Sequence, residues 1–318
     1  MNKPLIVLTG PTAVGKTKLS IRIAKEVNGE IISADSMQVY RHMDIGSAKI
    51  RKEEMEGVKH YLVDILEPDE EFNVVIFQKL CLEAISEIYN KGKIPILVGG
   101  TGFYIQAVLY GIAFEEESEE SSVRNRYEQL VRENPQGASL LHKKLAEVDP
   151  LSADCIHENN VKRVIRALEF YERNSQPISK HNLEQRKKES PYQFAYFVLN
   201  QDRQELYRKI ELRVDEMIRE GLVSEVVALK NKGFHKNMVS MQGIGYKEIL
   251  QYLDGELSYD EAISKMKLNT RHFAKRQLTW FRREKDVIWL NKEEYQNNED
   301  NILKEIKRIL RSKGIIDE

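Results

Sequence analysis

Apolar positions along the chain fall into two kinds of run. LIVLTG (5–10) is short and almost continuously apolar, as a parallel strand buried on both faces should be. KLSIRIAKEV (18–27) instead spaces Leu19, Ile23 and Val27 along one helical face. EIISA (30–34) is a second strand candidate, and HYLVDILEP (60–68) a third that ends near Asp64. EFNVVIFQKLCLEAISEIYNKG (71–92) returns to helical spacing through Val75, Phe77, Leu80, Leu82, Ile85 and Ile88, with Gly92 as its stop. IPILV (94–98) is continuous again and runs into Gly99, Gly100, Thr101 and Gly102. Strand and helix in alternation predict an α/β domain built on a parallel sheet.

After Gly111 the pattern changes. FEEESEESS (114–122) is acidic and suits a surface crossing. Helical patterns then continue to about residue 174 without a convincing strand, until YQFAYFVLN (192–200) reads as one. The economical interpretation is a helical insertion at 113–190 between two parts of one α/β core, 1–112 and 191–318. An earlier end, near 158, would assign the KRVIRALEF helix to the core instead. Within that helix Lys162, Arg163 and Arg166 cluster, the last two on one face. A solvated helix face accounts for that cluster as well as a ligand does.

AISKMKLNTRHFAKRQLTWFRR (262–283) contains no acidic residue. Helical spacing puts Ile263, Met266, Phe273, Gln277, Trp280 and Phe281 on one side, expected to pack on the core. Lys267, Arg271, Lys275 and Arg282 form a stripe beside it, and Lys265, Arg276 and Arg283 a second on the other flank. Two cationic stripes with no carboxylate between them suit a phosphate backbone. DVIWLN (286–291) and NILKEIKRILRSKG (301–314) predict a last strand and a last helix.

Composition narrows the class. With 41% apolar and 31% charged residues, the 318-residue chain should be a soluble globular protein. Its net charge of −1 means that any nucleic-acid surface must be local. Cys81 and Cys155 have no metal spacing and are expected as buried small apolar residues in a reducing compartment. His142 and His157 lack ligand partners at suitable spacing and are expected to be structural or surface residues. The apolar run after Lys3 is too short for a membrane span, so a cytoplasmic location with no membrane partner is expected.

The most specific local signal is GPTAVGKT: Gly10, Pro11, Thr12, Ala13, Val14, Gly15, Lys16 and Thr17. Strand, glycine loop and helix form the context of a P-loop. Its backbone N–H groups converge on an anion, Lys16 adds a charge, and the Thr17 hydroxyl can bind Mg²⁺. The motif leaves open which molecule carries the phosphate. Asp35, at the end of EIISA, should face the same crevice, because ligands of open α/β sheets sit outside the carboxyl ends of the strands. It could equally cap the next segment. In an ATP-hydrolysing P-loop protein an apolar strand usually ends in a Mg²⁺-holding carboxylate. Here IPILV ends in GGTG, although Asp35 and Asp64 could serve.

Taken in order, GPTAVGKT, DSMQVYR, GSAK, VGGTGFY, KRVIRALE, QGIGY and KRQLTWFR resemble the bacterial tRNA dimethylallyltransferases over residues 5–283. The resemblance implies a P-loop NTPase-like parallel-sheet core with a helical tRNA-binding insertion. The implied reaction moves a dimethylallyl group from dimethylallyl diphosphate to the exocyclic amine of the adenine 3′ of the anticodon, in tRNAs reading U-initial codons. The P-loop would then hold a diphosphate that leaves intact, with Mg²⁺ at Thr17. Asp35 is similar to the family's base, Thr101 to a threonine contacting the target nucleotide, and Arg213 to a residue closing the donor end of the channel.

Contacts to the tRNA anticodon stem-loop carry over to Asp35, Ser36, Met37, Gln38, Thr101, Arg124, Lys162, Arg163, Val164, Ile165 and Arg166. They continue at Gln242, Gly243, Ile244, Gly245, Tyr246, Lys247, Lys275, Arg276, Gln277, Trp280 and Arg282. A monomer is expected. GSAKI lacks the proline that commonly follows this lysine, and IHENN replaces IHPND, both in connecting segments. The rivals are an adenylate isopentenyltransferase, a P-loop nucleotide kinase and a P-loop nucleic-acid binding module without chemistry. The first needs no basic helix, the second leaves DSMQVYR and KRQLTWF without a task, and the third leaves Asp35 unexplained.

Overall fold

The structure, a computed structural model, describes residues 3–114, 122–185 and 187–317. It divides into two compact units, one of residues 1–109 and 191–318 and one of residues 110–190. Residues 115–121, most of the acidic stretch, lie outside the described residues.

In the first unit, β1 (Lys3–Thr9) leads through the glycine loop into α1 (Lys16–Glu26) and then β2 (Gly29–Ala34). β3 (His60–Tyr61), α2 (Val74–Asn90), β4 (Ile94–Gly99) and α3 (Gly102–Leu109) follow. All six strands of the sheet are parallel, in the order β3-β2-β4-β1 followed by two strands from the last third of the chain. Leu5, Ile6, Val7 and Leu8 are fully buried, so both faces of β1 are covered, as the unbroken apolar run requires.

Two expectations need correction. The third strand is only two residues long, because Leu62 and Asp64 adopt positive φ (60° and 57°) and turn the chain out of the extended region. On α2 the buried face is Phe77, Cys81, Ala84, Ile85 and Ile88, whereas Val75 and Leu82 are exposed.

The second unit is helical: α4 (Ser122–Glu133), α5 (Gly137–Val148), α6 (Pro150–Cys155), α7 (Val161–Asn174) and α8 (Ile178–Gln185). Tyr127, Leu141, Leu145, Val164, Ile165 and Leu168 form its core, so the KRVIRALEF helix belongs here. Buried Asp149 accepts hydrogen bonds from the backbone and hydroxyl of both Ser152 and Ser179, tying α6 to α8. Cys81 is buried, which pushes its thiol pKa up, but Cys155 is exposed at the end of α6.

The chain then returns to the sheet through β5 (Tyr192–Asn200), which pairs with β1 along its length. α9 (Arg203–Glu220), α10 (Leu222–Asn231), α11 (Tyr246–Leu253) and the long α12 (Tyr259–Phe281) follow. β6 (Val287–Asn291) completes the sheet beside β5, and α13 (Glu299–Ser312) buries Ile302, Leu303, Ile306 and Leu310 in the same core as α1. Because every strand runs the same way, the segments after β1, β2, β4 and β6 all emerge on one edge of the sheet. That edge carries the site.

Candidate active site

The P-loop is the turn from β1 into α1. Gly10 has φ 145° and lies so close to the Leu199 carbonyl of β5 that a side chain there would collide with it. Gly15, with φ 96°, is the left-handed residue that starts α1. The Lys16 ammonium donates to the carbonyls of Gly10 at 3.0 Å and Pro11 at 2.8 Å. Arg213 extends from α9 into the same loop, where its guanidinium donates to the Thr12 hydroxyl at 3.4 Å. Burial, and then the charge of Arg213, pull the Lys16 pKa down to about 7, with Asp35 acting the other way. Arg213 is likewise lowered by burial and raised by Asp35 and Glu216. Two cations and one carboxylate thus share a poorly solvated pocket, an environment that favours an incoming anion.

Asp35 leaves the end of β2, and its Oδ1 accepts the Met37 N–H at 2.9 Å. One carboxylate oxygen therefore caps the turn, so the two readings of this residue are compatible. β2 and β4 pair with Ala34 opposite Gly99, which sets Asp35 beside GGTG. A side chain at Gly99 would strike the Ala34 backbone. The Thr101 N–H donates to the Ala34 carbonyl at 3.3 Å, and the Thr101 carbonyl accepts from Tyr104 and Ile105 to open α3. Asp35 and Thr101 are thus fixed on adjacent strand ends, Thr101 next to the P-loop strand and Asp35 one strand further.

α12 locks these loops together. Gln277, expected among the RNA contacts, is buried: its Oε1 accepts the Thr12 N–H at 2.9 Å and its Nε2 donates to the Gly100 carbonyl at 3.0 Å. Its amide bridges the P-loop to GGTG. Trp280 lies against Gly102, where a Cβ would overlap its indole ring. Tyr246, also expected at RNA, is fully buried beneath Gly46 and donates its hydroxyl to Glu225. The Glu225 carboxylate also accepts the N–H groups of Asp44, Ile45 and Gly46. Gln38 donates to the Ala48 carbonyl at 3.2 Å, and Met37 packs on Gly243. Buried Lys49 pairs with Asp44 and with Asp64, so Asp64 is committed to this loop. DSMQVYR, GSAK and QGIGY are one braced surface whose open positions include Ser36, Gln242, Ile244 and Lys247.

The basic helix is less uniform than its sequence. Lys267 pairs with Asp215 at 2.6 Å, and Arg271 with Glu211, both carboxylates from α9. Lys265 donates to Gln251. Beyond this half no ion pair among the described residues engages Lys275, Arg276, Arg282 or Arg283. A shallow hollow of about 360 Å³ lies among His272, Lys275, Arg276, Thr279, Trp280 and Arg283. In the helical unit Lys162, Arg163 and Arg166 are exposed, while the Val164 and Ile165 side chains are core. Only backbone is left at those two positions for an outside partner. Arg124 pairs at 2.9 Å with buried Glu169, which Arg173 also engages.

No group of three His, Cys, Asp or Glu residues among those described could hold a metal ion. No described helix is long and apolar enough to cross a membrane. Sequence reasoning missed Lys292, which follows β6 on the same edge and is buried near Gly15. The strand-end rule that singled out Asp35 would have found it.

A sequence model of the IPP transferase family matches residues 38–284. A tRNA dimethylallyltransferase of Lachnoclostridium phytofermentans is 62% identical, covering 99% of both chains. The crystal structure of the full-length tRNA isopentenylpyrophosphate transferase of Bacillus halodurans superposes with a TM-score of 0.73 at 43% identity, covering 99% of this chain and 98% of that one. A eukaryotic dimethylallyltransferase acting on tRNA gives 0.78 at 31% identity, covering 91% of this chain and 74% of its own.

Proposed function

This chain belongs to the IPP transferase family, the tRNA dimethylallyltransferases, and from that premise we propose how its residues transfer a dimethylallyl group to tRNA. The donor is dimethylallyl diphosphate. The acceptor is the exocyclic amine of the adenine 3′ of the anticodon, in tRNAs reading U-initial codons. The observation that carries this reading is the joint placement of Lys16, Arg213 and Asp35: an anion grip and a carboxylate face one crevice.

The amine attacks the donor carbon, the carbon–oxygen bond breaks, and diphosphate departs with the electron pair. Asp35 takes the amine proton through the oxygen that does not cap Met37. Lys16, Arg213 and the loop N–H groups oppose the charge that grows on the leaving oxygen. Thr101 orients the adenine, which leaves the anticodon stack to reach the crevice. The family is of the kind that uses a divalent metal. Thr17 fits a Mg²⁺ ion, because its hydroxyl is exposed and makes no hydrogen bond among the described residues. With diphosphate oxygens and water as the remaining ligands, such an ion would neutralise charge on the leaving group.

Lys275, Arg276 and Arg282 on α12, and Lys162, Arg163 and Arg166 on α7, contact the RNA backbone, and the protein works in the cytoplasm as a monomer. Labelled dimethylallyl diphosphate offered with unmodified tRNA, with AMP or with neither tests the reading. Label should enter tRNA alone, with no ATP present. Label in AMP, or a reaction that requires ATP, would refute it.

A further inference from the structure

Lys292 is the charged residue this mechanism leaves unused. It lies just past the carboxyl end of β6 and is only 8% exposed. A Cβ built on Gly15 would sit 3.0 Å from its ammonium nitrogen, so that nitrogen rests on the P-loop itself. No carbonyl or carboxylate among the described residues accepts a hydrogen bond from it. The carboxylates nearby are committed: Glu299 pairs with Lys18 and Arg22, and Glu293 accepts the Asp202 N–H. Lys209, the nearest cation, donates to Gln201 at 2.8 Å. Burial and the charge of Lys209 lower the Lys292 pKa. The Lys292 stem is buried while its ammonium nitrogen stands at the solvent-reached rim of the P-loop with no protein acceptor, so a ligand bound there can supply one.

The sheet order says which acceptor. β1 lies between β4, which leads to Thr101 with Asp35 beyond it, and β5, which is followed by β6 and Lys292. The acceptor amine and the reacting carbon belong on the β4 side, where Asp35 and Thr101 are. A diphosphate held across the loop with its carbon end there directs its outer phosphate towards the opposite rim, where Gly15 and Lys292 meet. We propose that Lys292 is a donor-positioning residue that grips the outer phosphate of the diphosphate. This inference rests on the reading that the P-loop holds a diphosphate. It adds a specificity: a group esterified to the outer phosphate, such as a nucleoside, would have to displace the Lys292 ammonium.

The test uses inorganic pyrophosphate with Mg²⁺ as the probe, on the full chain and on Lys292→Met and Lys292→Gln, by thermal unfolding and calorimetric titration. Both variants should unfold close to the parent's temperature without ligand, which shows that they fold. Both should bind pyrophosphate about tenfold or more weakly, the loss of one charge-assisted hydrogen bond. Their affinity for ADP-ribose, whose two phosphates are both esterified, should fall less than their affinity for pyrophosphate. Pyrophosphate affinity within twofold of the parent in both variants would overturn the assignment of Lys292 alone. No pyrophosphate binding by the parent chain would overturn the diphosphate reading beneath it.

Discussion

Replacing Gln277 with methionine should show how far the P-loop and GGTG depend on α12. Gln277 is 6% exposed and spends both ends of its amide, on the Thr12 N–H and the Gly100 carbonyl. Methionine keeps the length and volume, so little cavity opens. What remains is one donor and one acceptor without partners, at about 1–3 kcal/mol each. The sum, about 2–6 kcal/mol, corresponds to a drop of roughly 4–24 °C in unfolding temperature for a core of this size. Donor affinity should fall as well, since the Thr12 N–H belongs to the loop proposed to hold the diphosphate.

Gln277→Glu sharpens the test. Its carboxylate still accepts from Thr12 but sets a second oxygen against the Gly100 carbonyl. It should therefore be as unstable as the methionine variant at pH 8. As pH falls, the glutamate takes up a proton and can donate to Gly100, so its unfolding temperature should recover towards the parent's when both are scanned from pH 8 to pH 5. A methionine variant within about 1 °C of the parent, a difference worth well under 1 kcal/mol, would refute the bridge. So would a glutamate variant whose deficit ignores pH.

Asp35→Asn keeps an oxygen for the Met37 N–H and should fold and bind donor normally, yet lose about 10²–10⁴ in turnover under saturating tRNA; near-normal turnover would reduce Asp35 to a turn cap. Lys275→Ala and Arg282→Ala should each reduce the salt slope of tRNA binding by about one phosphate contact, whereas Lys267→Ala and Arg271→Ala, whose charges already face Asp215 and Glu211, should leave it unchanged. Equal slopes in all four variants would contradict this division of α12. The folded Lys16 titrates near 7 instead of its usual 10.5, so between these values the unfolded chain holds more protons and this group's contribution to stability rises with pH. The gain is at most about 1.4 kcal/mol per pH unit; Lys16→Met should remove it from a series of unfolding temperatures at pH 7, 8 and 9, and an unaltered series would show that the lysine is not held off its usual pKa.

What the chain states locally, it states well. GPTAVGKT is contiguous, and the turn it forms needs only the strand before it and the helix after it, so eight residues sufficed to find that turn. YQFAYFVLN and IPILV are continuous apolar runs because both faces of a central parallel strand are covered, and composition alone carries that fact. Asp35 and Thr101 followed from the same logic, as residues just past such strands. HYLVDILEP misled because left-handed turns at Leu62 and Asp64 leave little trace in apolar pattern.

The rest depends on residues that meet only after the chain has crossed the sheet. Arg213, Gln277 and Lys292 lie far from the P-loop in sequence and reach it because β5 and β6 return beside β1 and α12 packs over the strand ends. Helical spacing showed that Gln277 points inward, but not that its amide would find Thr12 and Gly100. The carboxylate-free run on α12 acquires its acids from α9, a separate helix. Burial also decides the charge states: Lys16 is depressed by desolvation and by Arg213, neither of which exists until the fold closes. Periodicity and motif record what a residue's neighbours along the chain require of it. Hydrogen-bond partners and the local dielectric come from neighbours in space, and only the tertiary structure supplies them.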